Sequence, residues 1–437
     1  MNIDKRTWYI VGVLFLAYTC SFFDRNVLNI LVTSIKLDFD ISDTQISLLQ
    51  GASFAIFYVT VGLFIASLAD RFSRKWIIVV GLIIWSVMTS AGAFASSFAT
   101  LFVFRIGVGV GEAALTPAAT SMLGDLFPKN RLNSAISIYA AAPYFGSALA
   151  LYFGAMALDY FTANPAVALP IVGVREPWQS TFCLVGLPGI AIALVVAMTI
   201  SEPSRKKSVA VVTSTAADFV RFINARKGVY ARHFAGFAMF SLAGYALVSW
   251  LPTYFVRAFN MSNSEIGAWL GIALFFSGTV GIVSGGVIGD WYTAKRVDAP
   301  IRLGIVATVG TAVFGAILFL ASDPSVAMFA IYPTLFFATL PLGTALAALQ
   351  IITPSNLRAR TTALYLFVDA MIGLGLGPTA VALFTDYAYR DEAKLGLSIM
   401  TVMLIAMCLS FLSLTSVRSR YADLASGNGF EENVRAT

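Results

Sequence analysis

Residues 99–123 read ATLFVFRIGVGVGEAALTPAATSML. Gly107, Gly109 and Gly111 follow an apolar run, as they would where a strand turns into a phosphate-binding loop. A dinucleotide fingerprint, however, needs G-x-G-x-x-G between a strand and a helix, with an acid about 20 residues further on. Here Gly recurs at every second position and the run stays apolar throughout, so a soluble βαβ unit does not fit. A run of about 20 apolar residues spans a bilayer as a helix, and small residues on such a helix let neighbours approach closely. The stretch reads as a membrane helix, with Arg105 and Glu112 as charges inside it.

The rest of the chain has the same character. Of 437 residues, 58% are hydrophobic and 12% charged, with a mean hydropathy of +0.81; a soluble domain carries about 25% charged residues. Spans of sufficient length fall at 8–33, 46–69, 76–96, 99–123, 133–158, 180–200, 231–256, 266–288, 302–321, 326–350, 362–385 and 395–416. None alternates apolar and polar residues as a membrane β-strand of about 10 residues would. The expected fold class is all-α integral membrane with twelve transmembrane helices. The first span is too long for a secretory signal and carries Asp24 and Arg25.

Lys and Arg concentrate on the loops of one side. Of the 29, only Lys36, Arg175, Arg257, Arg390 and Lys394 fall on the opposite side, and Arg25 and Arg105 lie within spans. The positive-inside rule then puts both termini in the cytoplasm. The net charge of +6 reflects this topology and is no argument for nucleic acid as a partner. Short loops fit a bacterial inner membrane.

The longest polar interruption, 201–230, separates an N-terminal half (1–200) from a C-terminal half (231–416), with a cytoplasmic tail at 417–437. Within it, Phe219, Phe222 and Ile223 share a face, which leaves open a helix at the membrane interface or a solvated linker. The halves share punctuation. SLADRFSRK (67–75) matches GVIGDWYTAKR (286–296), with Asp70 opposite Asp290, and LFPKNR (126–131) matches ITPSNLRAR (352–360), with Pro128 opposite Pro354. The two separations agree within a few residues. Copies with an even number of spans are parallel repeats, an architecture of secondary transporters that places substrate near the midplane between halves.

LADRFSRK (68–75) resembles the loop signature of the major facilitator superfamily, with Ser73 where that family has Gly, and RIGVGVGEA resembles its Arg region in the fourth helix. The likeness covers the whole chain. FFDRNVLNIL (22–31) and GEAALTPAATSMLGDLFP (111–128) resemble the spinster branch, which includes exporters of lysophospholipids and sphingosine phosphate. The resemblance implies the major facilitator fold, alternating access, and a central cavity lined by the first and fourth helices. It also implies that the loop closes the cytoplasmic side, so that Asp70, Arg71, Arg74, Lys75 and Asp290 are gate residues. A carboxylate at Asp70 is suited to the positive end of a helix dipole.

Charges at bilayer depth cost from about 2.5 kcal/mol upward and usually face a cavity or a partner. Five qualify: Asp24, Arg25, Arg105, Glu112 and Asp369. Arg105 and Glu112 share one helix face, about 10 Å apart along the axis. Asp24, Arg105 and Glu112 lie roughly 13, 9 and 20 Å below the outer end of their spans, so they can meet in one cluster. Asp24 with Arg105 and Arg25 with Glu112 are the expected pairs, the opposite pairing being the alternative. Burial raises a carboxylate pKa and a nearby Arg lowers it. A conformational change that withdrew the Arg would then load a proton on Asp24 or Glu112, the two proton-coupling candidates. Tyr365, Asp369 and Gly373 share a face in the eleventh span, where a coupling role and simple helix packing both remain open.

The seventh span (FAGFAMFSLAGYALVSWLPTYF, 234–255) and the tenth (IYPTLFFATLPLGTALAAL, 331–349) carry no charge. A cavity charged on one wall and apolar on the other suits an amphiphile, its anionic head on Arg25 or Arg105 and its chain along Tyr245, Trp250, Phe336 and Phe337. A lysolipid-like substrate moved with protons is the expectation; small organic anions or sugar phosphates are the alternative. One His, His233, and three scattered Cys exclude most metal and triad chemistry. No enzyme motif, metal site or cofactor is expected. Membrane lipid, the substrate and protons are the expected partners of a monomer.

Overall fold

The computed structural model describes residues 5–69, 71–170, 172–204, 216–354 and 356–426. Among them are 12 helices long and apolar enough to cross a membrane. They are α1 (Lys5–Phe39), α2 (Asp43–Gly62), α3 (Arg74–Phe94), α4 (Phe98–Leu126), α5 (Ser134–Ala163), α6 (Pro177–Thr199), α7 (Lys227–Phe259), α8 (Asn263–Thr293), α9 (Ala299–Leu320), α10 (Pro324–Ile352), α11 (Arg360–Tyr389) and α12 (Glu392–Ala425). The only extended pairing among the described residues is an isolated bridge from Leu169 to Gly173. Several helices outrun the apolar windows: α1 covers Lys5–Phe39 where hydropathy marks 8–33. Hydropathy reads the hydrocarbon layer, whereas backbone hydrogen bonding carries a helix on into the polar interface.

Local chemistry sets the helix starts. The Ser42 side chain accepts the Gln45 N–H while Gln45 returns a bond to the Ser42 N–H, a reciprocal cap that satisfies two otherwise orphaned donors. Ser97 and Thr100 form the same arrangement ahead of α4. Pro177, Pro300 and Pro324 sit in the first turn of α6, α9 and α10, where a missing N–H costs nothing. The turns after α1 and α7 repeat one design. Each ends on a left-handed residue, Asp40 (φ 50°) or Asn260 (φ 52°), residue types that tolerate that conformation. Each continues two residues later into a Ser cap, Ser42 or Ser262. Their separation equals that of Asp70 and Asp290, so the internal repeat extends to these turns.

The chain packs as two compact units. The first holds Met1–Lys207 with Val248–Phe275 and Ala382–Ala393, so it combines α1–α6 with the end of α7, the start of α8 and the end of α11. Its helices approach at glycines. A Cβ on Gly111 would stand 2.6 Å from the Trp85 backbone nitrogen, and one on Gly109 would stand 3.0 Å from the Phe54 carbonyl oxygen. The α4 glycines therefore seat α4 against α3 and α2. On α8, Gly267 and Gly271 face the Leu151 and Ala148 carbonyls of α5.

The second unit holds Ser208–Leu247, Phe276–Val381 and Lys394–Thr437. Gly281, Gly285 and Gly289 form one stripe of α8 against Phe336, Leu340 and Thr344 of α10. Gly373 and Gly377 of α11 press on the Ser241–Ala246 stretch of α7. Before α7, a helix does form at Ala216–Ala225. Phe219, Phe222 and Ile223 are its half-buried face, while Asp218, Arg221 and Asn224 are exposed. Phe222 lies edge-on to Tyr230 and under the Arg226 guanidinium.

Candidate proton and substrate site

Three spanning helices of the first unit break where the charges lie. The regular helix of α1 stops at Asn26 and restarts at Leu28. Its partner α2 widens into a π turn at Leu48–Ala52. In α4 the break falls at Ala113–Ala114, because Pro117 has no N–H for the Ala113 carbonyl. Wide turns and breaks leave carbonyls short of donors, and such points recur at functional sites.

Arg105 bonds two carbonyls at these irregular points. Its Nε donates to the Leu49 carbonyl of α2 (3.3 Å) and its Nη2 to the Arg25 carbonyl of α1 (3.4 Å). The side chain is fully buried, and among the described residues Nη1 has no partner. Among the described residues no carboxylate lies within 4.0 Å of it, so the expected Asp24–Arg105 ion pair is not formed. Arg105 ties α4 to the irregular points of α1 and α2 instead. Spacing along single helices could not show this, because the acceptors are main-chain atoms created by helix breaks.

The second expected pair is present. Arg25 Nη2 meets Glu112 Oε2 at 2.6 Å, and the same oxygen accepts the Ser21 hydroxyl at 2.5 Å. The Arg25 guanidinium stands over the rings of Phe54 (4.0 Å), Phe22 (4.4 Å) and Tyr58 (5.3 Å). Phe22 continues edge-on to Tyr18, which stacks on Tyr139 at 4.6 Å. A charged head and an aromatic strip therefore adjoin within one unit. Sequence reading missed Ser21, Phe54, Tyr58 and Tyr139. The signal available was Tyr18, Phe22 and Arg25 at i, i+4 and i+7, a single face of α1.

Asp24 points elsewhere. Its side chain is completely buried; among the described residues its one hydrogen bond is a long contact from the Thr89 hydroxyl of α3 (3.4 Å), and Oδ1 has no partner. No cation among the described residues lies within 4.0 Å. Adjacent positions on a helix diverge by about 100°, which turns Asp24 toward α3 when Arg25 faces Glu112.

The apolar candidates divide. Tyr245 abuts Gly373 and Gly377 of α11. Trp250 is fully buried in the first unit. Phe336 presents its backbone to Gly281, and Phe337 covers Gly310 of α9 and stacks on Phe314 at 5.7 Å. Phe337 thus packs between α9 and α10. Asp369 accepts the Ser241 hydroxyl at 2.6 Å and lies 3.5 Å from the Tyr365 hydroxyl, the contact their spacing suggests.

Among the loop candidates, Asp70 lies outside the described residues. Arg71 and Asp290 are exposed, and Lys75 lies half-buried with its ammonium over Trp76. Arg74 is buried and holds Asp125 (2.5 Å), Glu202 (2.8 Å), Ser121 and the Pro203 carbonyl. Arg74 thus fastens the start of the linker to α3 and α4. Burial acts to raise the Glu202 pKa, but bonds from the Lys75 backbone, Arg74 and Ser73 outweigh it and hold the carboxyl below its ordinary value.

The Major Facilitator Superfamily model matches residues 14–378, and the chain belongs to that family. It is 28% identical over 405 residues to an MFS-type efflux pump of Mycolicibacterium smegmatis, covering 92% of this chain and 90% of that one. It is 23% identical to the sphingosine-1-phosphate transporter SPNS2 of Danio rerio, covering 87% and 77%. In fold it resembles a bacterial homolog of the human lysosomal transporter Spinster, crystallised in an inward-facing and unoccupied conformation. The TM-score is 0.79 at 24% identity, over 97% of this chain and 98% of that one. The protein is an integral membrane transporter of the Major Facilitator Superfamily, similar in sequence to spinster-type transporters, and these relatives are transporters rather than enzymes.

Proposed function

We propose that this transporter works by alternating access, with 1–200 and 231–416 as its repeated halves, in a bacterial inner membrane with both termini cytoplasmic. It moves a lysolipid-like amphiphile, coupled to protons. The observation that carries the coupling is Asp24: a wholly buried carboxyl with an unpartnered oxygen and no cation within 4.0 Å. An ionised carboxylate is costly in such surroundings, so this is where a proton is held. Glu112, already engaged by Arg25, takes the proton when that pair opens.

Arg25 is the substrate's anchor. Its guanidinium, flanked by Phe22, Phe54 and Tyr58 and followed by Tyr18 and Tyr139, suits a phosphate head with an apolar tail. Sphingosine-1-phosphate, which the SPNS2 relative transports, is of that class. The name of the mycobacterial relative supports export. An incoming phosphate would compete with Glu112 for Arg25, so substrate and proton exchange on one ion pair.

The test is uptake of labelled lysophospholipid into proteoliposomes under an imposed pH gradient, with Asp24→Asn and Glu112→Gln alongside. Gradient-driven uptake is expected in the wild type and is lost in both variants. If folded wild-type protein moves no lysolipid but accumulates a short organic phosphate, the amphiphile reading is wrong.

A further inference from the structure

Pro252 lies inside α7. A proline there has no N–H for the carbonyl four residues earlier, which is that of Val248. A freed carbonyl at membrane depth needs a replacement donor. Two side chains from other helices supply donors at this point. Asn29 Nδ2 of α1 lies 3.4 Å from the Val248 carbonyl oxygen, and Gln50 Nε2 of α2 donates to the next carbonyl, Ser249, at 3.0 Å. The two amides are joined, Gln50 Nε2 to Asn29 Oδ1 at 3.2 Å, and Asn29 in turn reaches Asn26 at 3.2 Å. Both are buried.

A second tier lies further toward the chain end of α7. Arg257 donates through both terminal nitrogens to the two oxygens of Asp43 (2.7 and 2.8 Å), whose side chain is fully buried. Lys36 adds a bond to Asp43 at 2.5 Å, and Glu392 bridges Lys36 (2.8 Å) and Arg257 (3.0 Å). Nearby, Asp386 accepts the backbone N–H and the hydroxyl of Thr44, at 2.7 and 2.6 Å. Every group named belongs to the first compact unit. The two-fork Arg257–Asp43 geometry is the most directional ion pair available to these side chains.

We infer that Asn29 and Gln50 are positioning residues that read the carbonyl freed by Pro252 and the one next to it, and that with Asp43–Arg257 they form a two-tier latch. The latch holds the distal end of α7 on α1 and α2, the side that the Lys and Arg bias assigns to the outside. Opening that side during transport requires both tiers to part. The amide tier is suited to this: it carries no net charge, so its partners can be exchanged for water at modest cost. The ion tier supplies direction, because only one orientation of α7 brings Arg257 onto Asp43. This inference rests on membership of the transporter family and is independent of the lipid reading.

The test needs no substrate. Hydrogen–deuterium exchange is followed by mass spectrometry on the full chain in lipid nanodiscs, reading the amides of 253–262. Asn29→Ala and Pro252→Ala each raise exchange about tenfold, the scale of one lost hydrogen bond. Added to Pro252→Ala, Asn29→Ala has little further effect, because the Val248 carbonyl has regained its own helical donor. Gln50→Ala reads the same tier from α2 should Asn29→Ala fail to fold. In the ion tier, Asp43→Arg raises exchange and the swap Asp43→Arg/Arg257→Asp restores it. Unchanged exchange in Asn29→Ala and Gln50→Ala, or an equal increase with and without Pro252, overturns the amide tier. Failure of the swap to restore protection overturns the ion tier. Neither result bears on whether lysolipid is carried, and a failed lysolipid assay leaves the latch intact.

Discussion

The fourth and tenth helices occupy matching places in the two halves and are built on opposite plans. Both break near the middle, α4 at Ala113–Ala114 and α10 at Leu340–Pro341. Applying the Pro128–Pro354 separation, Gly111 corresponds to Phe337, Arg105 to Ile331 and Glu112 to Ala338. On the N-terminal side α4 is small and receives the backbone beside Trp85 of α3. On the C-terminal side α10 is large, and Phe337 covers Gly310 of α9. The small and large partners have exchanged helices while the close approach persists. The charges were not exchanged: α10 has none, and the nearest equivalent in the second unit is Asp369 on α11, held by Ser241. The repeat thus preserves the backbone device, a broken helix packed tightly on its neighbour, and leaves the chemistry free to diverge.

Substitutions can break that comparison, and the largest effect is expected at the charges. Arg105→Ala removes the guanidinium that bonds the Leu49 and Arg25 carbonyls, Leu49 keeping the Ser53 hydroxyl as a second donor, at a cost of about 1–3 kcal/mol. Transport is expected to fall about 5- to 150-fold by the corresponding conversion. Arg105→Lys is expected to recover little, since one ammonium does not reproduce the planar fork that spans two helices. Ile331→Ala, at the matching place in α10, should keep most of the wild-type rate in the same proteoliposome assay. Equal losses at the two positions would refute the functional asymmetry.

An intermediate effect is expected from packing. Gly111→Ala forces a methyl into the Trp85 backbone and should destabilise by about 1–3 kcal/mol. Gly310→Ala should do the same by pushing against Phe337. Thermal melts in detergent check both, and the exchanged-partner description predicts similar losses. A further double variant, Gly310→Ala with Phe337→Leu, should regain part of the melting temperature.

The smallest effect concerns Arg74 and Glu202. The folded-state pKa of Glu202 is lowered, so its contribution is fully present above the ordinary carboxylate value and is lost only as pH falls through the lowered one. Being partly exposed, the pair is worth little, and Glu202→Gln should lower the melting temperature by about 1–2 °C near neutral pH. The gap to wild type should close in strongly acidic buffer. A gap that persists unchanged there would show that the loss comes from something other than the carboxylate.

The sequence by itself determined the class of fold, the number of spans, the repeat and the identity of the membrane-embedded charges. Each follows from a property summed along one stretch of chain: hydropathy over a bilayer thickness, charge per loop, or the spacing of equal residues. It also foretold the Arg25–Glu112 pair and the Tyr365–Asp369 contact, where the geometry of a helix face or the scarcity of partners left few choices. Only the tertiary structure decided that Arg105 spends its donors on carbonyls, that Asp24 lies buried with no cation within 4.0 Å among the described residues, and that Phe337 packs on α9. It alone revealed that Asn29 and Gln50 meet the carbonyls beside Pro252. For Arg105, Asn29 and Gln50 the partner is a backbone atom, and for Asp24 it is an absence, at or beside an irregular turn; for Phe337 it is the facing surface of another helix. Helical periodicity assigns a face to a side chain, but it does not say which neighbouring helix has a broken turn opposite that face.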